Sequence, residues 1–362
     1  MKIHQIRVQQ FFHLMILFQL GTIGLNLGAG AGKDSWISLS IGMLEGTLLF
    51  CMYYRIYKIY APLSYVEILQ NALGYWLGTF ISLLYGLYFA YIGARITRDL
   101  SEILTLHILY ETPIWIIIFL FVLTTSYVLY KGLNTVARVG TICIYMFGSF
   151  FVLFVGLVVI SGIFHIDNIQ PVLQYGWSPI LQNILPVMIP YGEMISFLLL
   201  MRFCSEQPKI FSAGIYSILI SGSILTTTTF LNIGILGYLI SNSFGFPLLI
   251  SADLIRVGSF IQRLEPLAIL LFMIGIFFKV SVLQASSVFS FSLLIHKKHF
   301  YKCIFIIGCL MLFLAIIMTK NNINHIYTGF HIVPYYLHLP FQIIIPLILL
   351  GRSFFYKPTP PK

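Results

Sequence analysis

Long apolar runs separated by short polar connections dominate the chain. Ten of them approach or exceed the roughly 20 residues that a helix needs to cross the hydrocarbon of a bilayer. They cover 10–31, 36–56, 79–105, 113–130, 139–163, 179–201, 210–240, 266–294, 303–319 and 335–355. Barrel strands are about 10 residues long and alternate in polarity. These runs are far longer and apolar on every side, so the pattern predicts helices. The runs 210–240 and 266–294 exceed one bilayer thickness and must tilt, kink or project. The connection 241–265 is too short for a separate domain and fits a short interfacial helix. The fold expected is an all-α integral membrane protein of about 10 transmembrane helices, a single domain over 1–362.

Two runs carry break signals near their middles. The first contains Gly21-Thr22-Ile23-Gly24, with Asn26 just beyond. The sixth contains Pro186 and then Pro190-Tyr191-Gly192-Glu193. Proline removes a helix hydrogen bond and clashes with the preceding turn, and glycine loosens the backbone. The two runs are five apart and would cross in opposite directions. Interrupted helices in matching positions of two halves point to an inverted-repeat arrangement, 5+5, with a solute site at mid-depth. The competing reading is that each signal is only a kink.

Composition agrees with the pattern. The chain of 362 residues is 59% hydrophobic and 9% charged, with a mean hydropathy of +0.94. A soluble domain carries about 25% charged residues, and so few cannot cover a wet surface. The net charge of +10 is unevenly placed. With the N-terminus inside, inner segments hold Lys2, Arg7, Arg55, Lys58, Lys131, Arg138, Arg202, Lys209, Lys297, Lys298, Lys302, Arg352, Lys357 and Lys362. Outer connections hold only Lys33, Arg256, Arg263 and Lys320. This bias predicts both termini in the cytoplasm. It also accounts for the positive charge as topology and contact with anionic lipid, with no nucleic-acid role. The five cysteines, 51, 143, 204, 303 and 309, follow no metal spacing and read as packing residues. The opening MKIHQIRVQQ lacks a small-residue cleavage site ahead, so the first run is expected to be a retained helix.

Charges inside the runs are few and therefore informative. Lys279 lies deep in the eighth run. It either replaces a coupling ion, exchanges a proton, or pairs with carbonyls of a broken helix. Glu193 either caps freed amides or serves a solute or proton. Glu45 is either the counter-charge of Lys279 or a protonated buried acid. Arg95, Arg98, Asp99 and Glu102 share one helical face in the third run, as internal salt bridges or an outer gate. Tyr88 and Tyr91 lie deeper in that run, where packing competes with a binding role. The nine histidines are scattered, with His296 and His299 flanking a lysine pair. No catalytic constellation, cofactor motif or metal set is present in the sequence, so an enzyme is not expected.

The stretch GAGAGKDSW at 28–36 resembles a phosphate loop at first sight. The register fails: Leu27 stands where the first glycine is needed, and Asp34 follows Lys33. Without a phosphate loop, any transport runs without the chain's own ATP hydrolysis. Gly24, Gly28 and Gly32 would form a small-residue stripe if helical; the alternative is a flexible outer end of the first helix.

Several local motifs together carry a family resemblance. They are LGTIG in the first run, DSW at 34–36, TRDLSEIL followed by ETP at 111–113, PYGEM at 190–194, FIQRLEPLAI at 260–269 and FFKVS at 277–281. In this order the chain resembles the B subunit of spore germinant receptors, the spore-permease branch of the amino acid–polyamine–organocation superfamily. The resemblance implies a transporter-like (LeuT/APC-like) domain of ten helices in a 5+5 inverted repeat with helices 1 and 6 broken. It implies sensing of a small nutrient, usually an amino acid, alongside a membrane A subunit and a lipoprotein C subunit in the bacterial spore inner membrane. Carried over, the pocket residues are Gly21, Thr22, Gly24, Tyr88, Tyr191, Gly192 and Lys279. The alternative function is a proton-coupled secondary amino acid transporter.

Overall fold

The computed structural model describes residues 5–243, 245–257, 261–262, 264–295, 300–318, 325 and 327–354. Lys2, Arg263, His296, Lys297, Lys298, His299, Lys320, and the KPTPPK tail with Lys357 and Lys362 lie outside the described residues.

The first two elements are α1 (Val8–Leu20) and α2 (Ser35–Tyr60), joined by irregular backbone and a 3-10 helix at Ala29–Asp34. Then come α3 (Tyr65–Leu73), α4 (Tyr75–His107), α5 (Ile114–Lys131) and α6 (Leu133–Ser161). The sixth run is divided into α7 (Ser178–Gln182), α8 (Ile184–Gly192) and α9 (Ile195–Leu200). Next are α10 (Ile210–Ser243), α11 (Pro247–Leu254), α12 (Glu265–Ile295) and α13 (Phe300–Ile317). The last run begins as π-helical turns over Pro334–Ile344 and ends as α14 (Ile345–Ser353).

Among the described residues, nine helical stretches are long and apolar enough to cross a membrane. The first run is the exception. Its helix α1 has 13 residues, about 20 Å at 1.5 Å per residue, against a hydrocarbon thickness of about 30 Å. The irregular segment and the 3-10 turn cover the remainder. The helix stops at Leu20, so Gly24, Gly28 and Gly32 form no helical stripe. Gly28 and Gly32 have φ of 76° and 61°, left-handed values that no continuing α-helix contains.

The expectation of an all-α protein needs one small correction. A two-stranded antiparallel hairpin, β1 (Arg256–Val257) and β2 (Ile261–Gln262), follows α11. Val257 and Ile261 are β-branched, which suits a pleated pair. The short helix expected in 241–265 is α11, opened by Pro247. α10 accommodates its excess length with a kink at Gly237. α3 was not expected. Its start is a capping box: the Ser64 amide donates to Glu67 Oε2 at 2.6 Å, and the Glu67 amide donates to Ser64 Oγ at 3.3 Å. One face, with Tyr65, Ile68, Leu69 and Ala72, is buried.

α12 is the central helix, packed against α4, α1, α13, α6, α5 and α9. Its approach to α1 is limited by two glycines. A Cβ on Gly275 would lie 2.8 Å from the Cα of Gly21, and one on Gly21 would lie 2.9 Å from the Gly275 carbonyl oxygen. The end of α1 therefore rests directly on the backbone of α12, one turn from Lys279.

Candidate functional site

The two breaks differ in kind. In the first run the backbone leaves the helix at Gly21 and does not return until the 3-10 turn. In the sixth, the interruption is mild. Glu193 and Met194 keep right-handed φ/ψ, and the ladder tightens there: the Met194 amide donates to Tyr191 O, and the Phe197 amide to Met194 O.

Between the breaks lies a cavity of about 90 Å³. Thr22, Glu193, Lys279, Arg95, Asp99 and His338 are its polar lining; Ile92, Ile189, Phe246 and Val333 are among its apolar lining. Lys279 Nζ lies 2.5 Å from Glu193 Oε2, with both side chains almost fully buried. Nζ also sits 5.5 Å from the centroid of the Phe18 ring, a cation–π position. Apart from their mutual contact, neither Nζ nor Oε2 has a hydrogen-bond partner among the described residues. An ammonium carries three donors, so this one retains donor capacity at a cavity wall. Glu193 is thus the counter-charge of Lys279, and Glu45 is not.

A buried polar network adjoins the cavity. Tyr88 Oη lies 2.8 Å from His338 Nδ1, and Gln342 Nε2 donates to Tyr88 Oη at 2.9 Å. Tyr88 stacks on Phe341 with centroids 4.7 Å apart. Tyr53 Oη donates to the Gln342 carbonyl at 2.7 Å and reaches the Gly192 carbonyl at 3.1 Å. Tyr85 Oη donates to the Phe341 carbonyl at 2.6 Å. Pro346 accounts for one of the two tyrosine contacts. Its missing amide would have served Gln342 in an α-ladder and Phe341 in a π-ladder. The tyrosines thus cap the carbonyl that Pro346 cannot serve and its neighbour.

The structure brings the expected site residues together unevenly. Thr22 and Lys279 line the cavity. Gly21 packs on Lys279 and Gly275. Gly24 faces Phe272, where a Cβ would meet the ring at 2.8 Å. Tyr88 belongs to the adjoining network, and Gly192 leaves the space that the Gln342 side chain fills. Tyr191 is fully buried against Gly46 of α2, and its hydroxyl has no partner among the described residues. His338, Gln342, Tyr53 and Tyr85 were missed. The available signal was the last run itself, where His338 and Gln342 sit four apart amid Pro334, Pro340 and Pro346.

Of the four charges on α4, only Arg98 and Glu102 pair internally, at 2.7 Å. Arg95 instead donates to the His325 carbonyl at 2.7 Å, and Asp99 contacts His325 Nε2 at 2.8 Å. The cavity rim is therefore tied to the segment preceding the last run. A second cavity, of about 440 Å³, is lined by the 3-10 turn Ala29–Asp34, Tyr175, Tyr238 and Asn242. Lys33 and Asp34 are engaged there with Gln170 and Leu173. No group of three or more potential metal ligands occurs among the described residues.

The family model described as spore germination protein matches residues 5–323. Spore germination protein KB of Bacillus subtilis is 34% identical over 351 residues, covering 95% of this chain and 93% of that protein. Spore germination protein A2 of the same organism is 31% identical over 181 residues, 49% of this chain and 48% of that one. In fold, the chain resembles the manganese transporter of Eremococcus coleocola, with a TM-score of 0.51 at 10% identity, covering 96% of this chain and 76% of the other. The chain is thus a multi-pass membrane protein with a transporter-like fold, and it belongs to the spore-permease family of spore germination proteins.

Proposed function

We propose that this chain is the nutrient-sensing membrane subunit of a spore germination receptor. In this reading it binds a small nutrient, an amino acid, in the cavity between its two interrupted runs. The observation that carries it is the buried Lys279–Glu193 pair, set at that cavity with donor capacity unspent. A ligand carboxylate would accept from the Lys279 ammonium. Thr22 Oγ1 donates to the Gln19 carbonyl at 2.7 Å, which leaves its lone pairs free to accept from a ligand. Ile92, Ile189 and Val333 offer apolar surface to a side chain. Gly21, Gly24, Tyr88, Tyr191 and Gly192 would shape the walls of this site.

The same reading includes a 5+5 inverted repeat within one domain, both termini in the cytoplasm, and residence in the spore inner membrane. It includes a membrane A subunit and a lipoprotein C subunit as partners. Kinship with spore germination protein KB supports it. The second reading, a proton-coupled amino acid transporter, is favoured by the transporter fold and by a buried acid–base pair able to exchange a proton. Reconstitution in liposomes with labelled amino acids separates the two. The sensor reading expects binding without accumulation, and a nutrient-specific germination defect on deleting the gene. Robust proton-driven uptake by this chain alone would overturn it.

A further inference from the structure

His338 stands in the π-helical start of the last run, 4% exposed, and lines the cavity that holds Lys279 and Thr22. Its two ring nitrogens have different surroundings. Nδ1 is turned to the buried network, with Gln342 Nε2 at 2.7 Å and Tyr88 Oη at 2.8 Å. An amide nitrogen can only donate, so Nδ1 accepts from Gln342 and carries no proton. The orientation of that amide follows from its other end. Gln342 Oε1 lies against Gly192 and has no partner among the described residues. A flipped amide would put an unpartnered NH2 group there, and a buried donor without a partner is rarer than an unfilled acceptor.

In the neutral imidazole the other nitrogen then holds the proton. Nε2–H is therefore a donor, on the ring edge turned away from the network. It has no hydrogen-bond partner among the described residues, and unlike Nδ1 of His325 it is not enclosed by protein. The Lys279 ammonium offers unspent N–H groups at the same cavity. Two open donors call for a ligand group with two acceptors. A carboxylate has two oxygens and accepts up to about four hydrogen bonds. A carboxamide has one oxygen, and would turn its own NH2 group toward one of the donors.

We propose that His338 Nε2–H is the second donor, beside the Lys279 ammonium, of a clamp for the carboxylate of the ligand. Gln342 and Tyr88 are positioning residues, which hold the imidazole in the tautomer that the clamp needs. The inference rests on the amino acid reading above and deepens it: the site selects a free carboxylate over its carboxamide.

The test titrates the full chain, purified in mild detergent, with single tritiated L-amino acids and with the carboxamide of each one that binds. Two variants divide the roles of the ring. His338→Gln keeps an amide N–H near the place of Nε2, and His338→Asn keeps an acceptor oxygen near the place of Nδ1. His338→Asn is expected to weaken binding of the free acid about tenfold, the factor that 1.4 kcal/mol represents. It should narrow the preference for acid over carboxamide by the same factor. His338→Gln is expected to keep most of the affinity and the preference. His338→Leu, which also removes the donor, is the second loss variant should the asparagine chain not accumulate. Affinity in a loss variant equal to that of the unaltered chain overturns the inference. So does weaker binding with an unchanged preference for the acid, which would make His338 a packing residue. If no amino acid binds the unaltered chain, the amino acid reading itself falls and the inference with it.

Discussion

Lys279 and Glu193 are each other's counter-charge inside the protein, and that mutual dependence sets what substitution does. Removing one partner leaves a bare buried charge, at a cost of about 3–5 kcal/mol. Replacing both with apolar residues removes the desolvation penalty as well. Lys279→Met and Glu193→Met are therefore each expected to lower thermal stability in detergent strongly, and the double variant much less than their sum. Additive losses would show that the two do not act as a pair. The depth of Lys279 was legible in the sequence, because a single lysine interrupts an apolar run. Its partner was not. Glu45 was the counter-charge that the sequence suggested; the packing of α12 on α1, through Gly21 and Gly275, places the ammonium beside Glu193 of the sixth run instead.

The interrupted runs were legible as elements, but the form of each interruption was not. Gly21 and Gly24 marked where α1 ends, yet glycine permits both a kinked helix and an unwound strap. The structure has the strap, closed by Gly28 and Gly32 in left-handed conformations. Prolines marked the sixth run, where the break proved to be only a tightened turn. The last run carries a third irregularity that went unread. Its π-helical turns open the backbone around Pro340, where an α-turn would press the ring against the carbonyl four residues back. Tyr53 and Tyr85 then donate to the two neighbouring carbonyls, one of which Pro346 leaves without a backbone donor. Tyr53→Phe is expected to cost about 1–3 kcal/mol in unfolding stability, the price of an orphaned buried acceptor. In a Pro346→Ala background the loss should shrink, because the new amide can serve one of the two carbonyls. An equal loss in both backgrounds would break the link between proline and tyrosine.

Across the molecule, the cavity and the last run are joined. Tyr53 touches carbonyls of both Gly192 and Gln342, and His338 faces the cavity while contacting Tyr88. A ligand that displaced the Glu193 turn would therefore disturb the run that ends in α14. Helix number and membrane class were legible because hydropathy is a local property. The convergence of residues from α4, α12 and the last run was not, since it depends on contacts far apart in sequence. In the proposed receptor a nutrient acts through the cavity lined by Thr22, Lys279 and Glu193. Thr22 is a sharper probe than Gly24, whose missing side chain faces Phe272 rather than the cavity. The most direct measurement is the nutrient dose–response of spores carrying Thr22→Trp, with chain abundance and the response to a nutrient-independent trigger measured alongside. The account expects the response to the cognate nutrient to be lost while abundance and the independent response stay normal. An unchanged dose–response would contradict it.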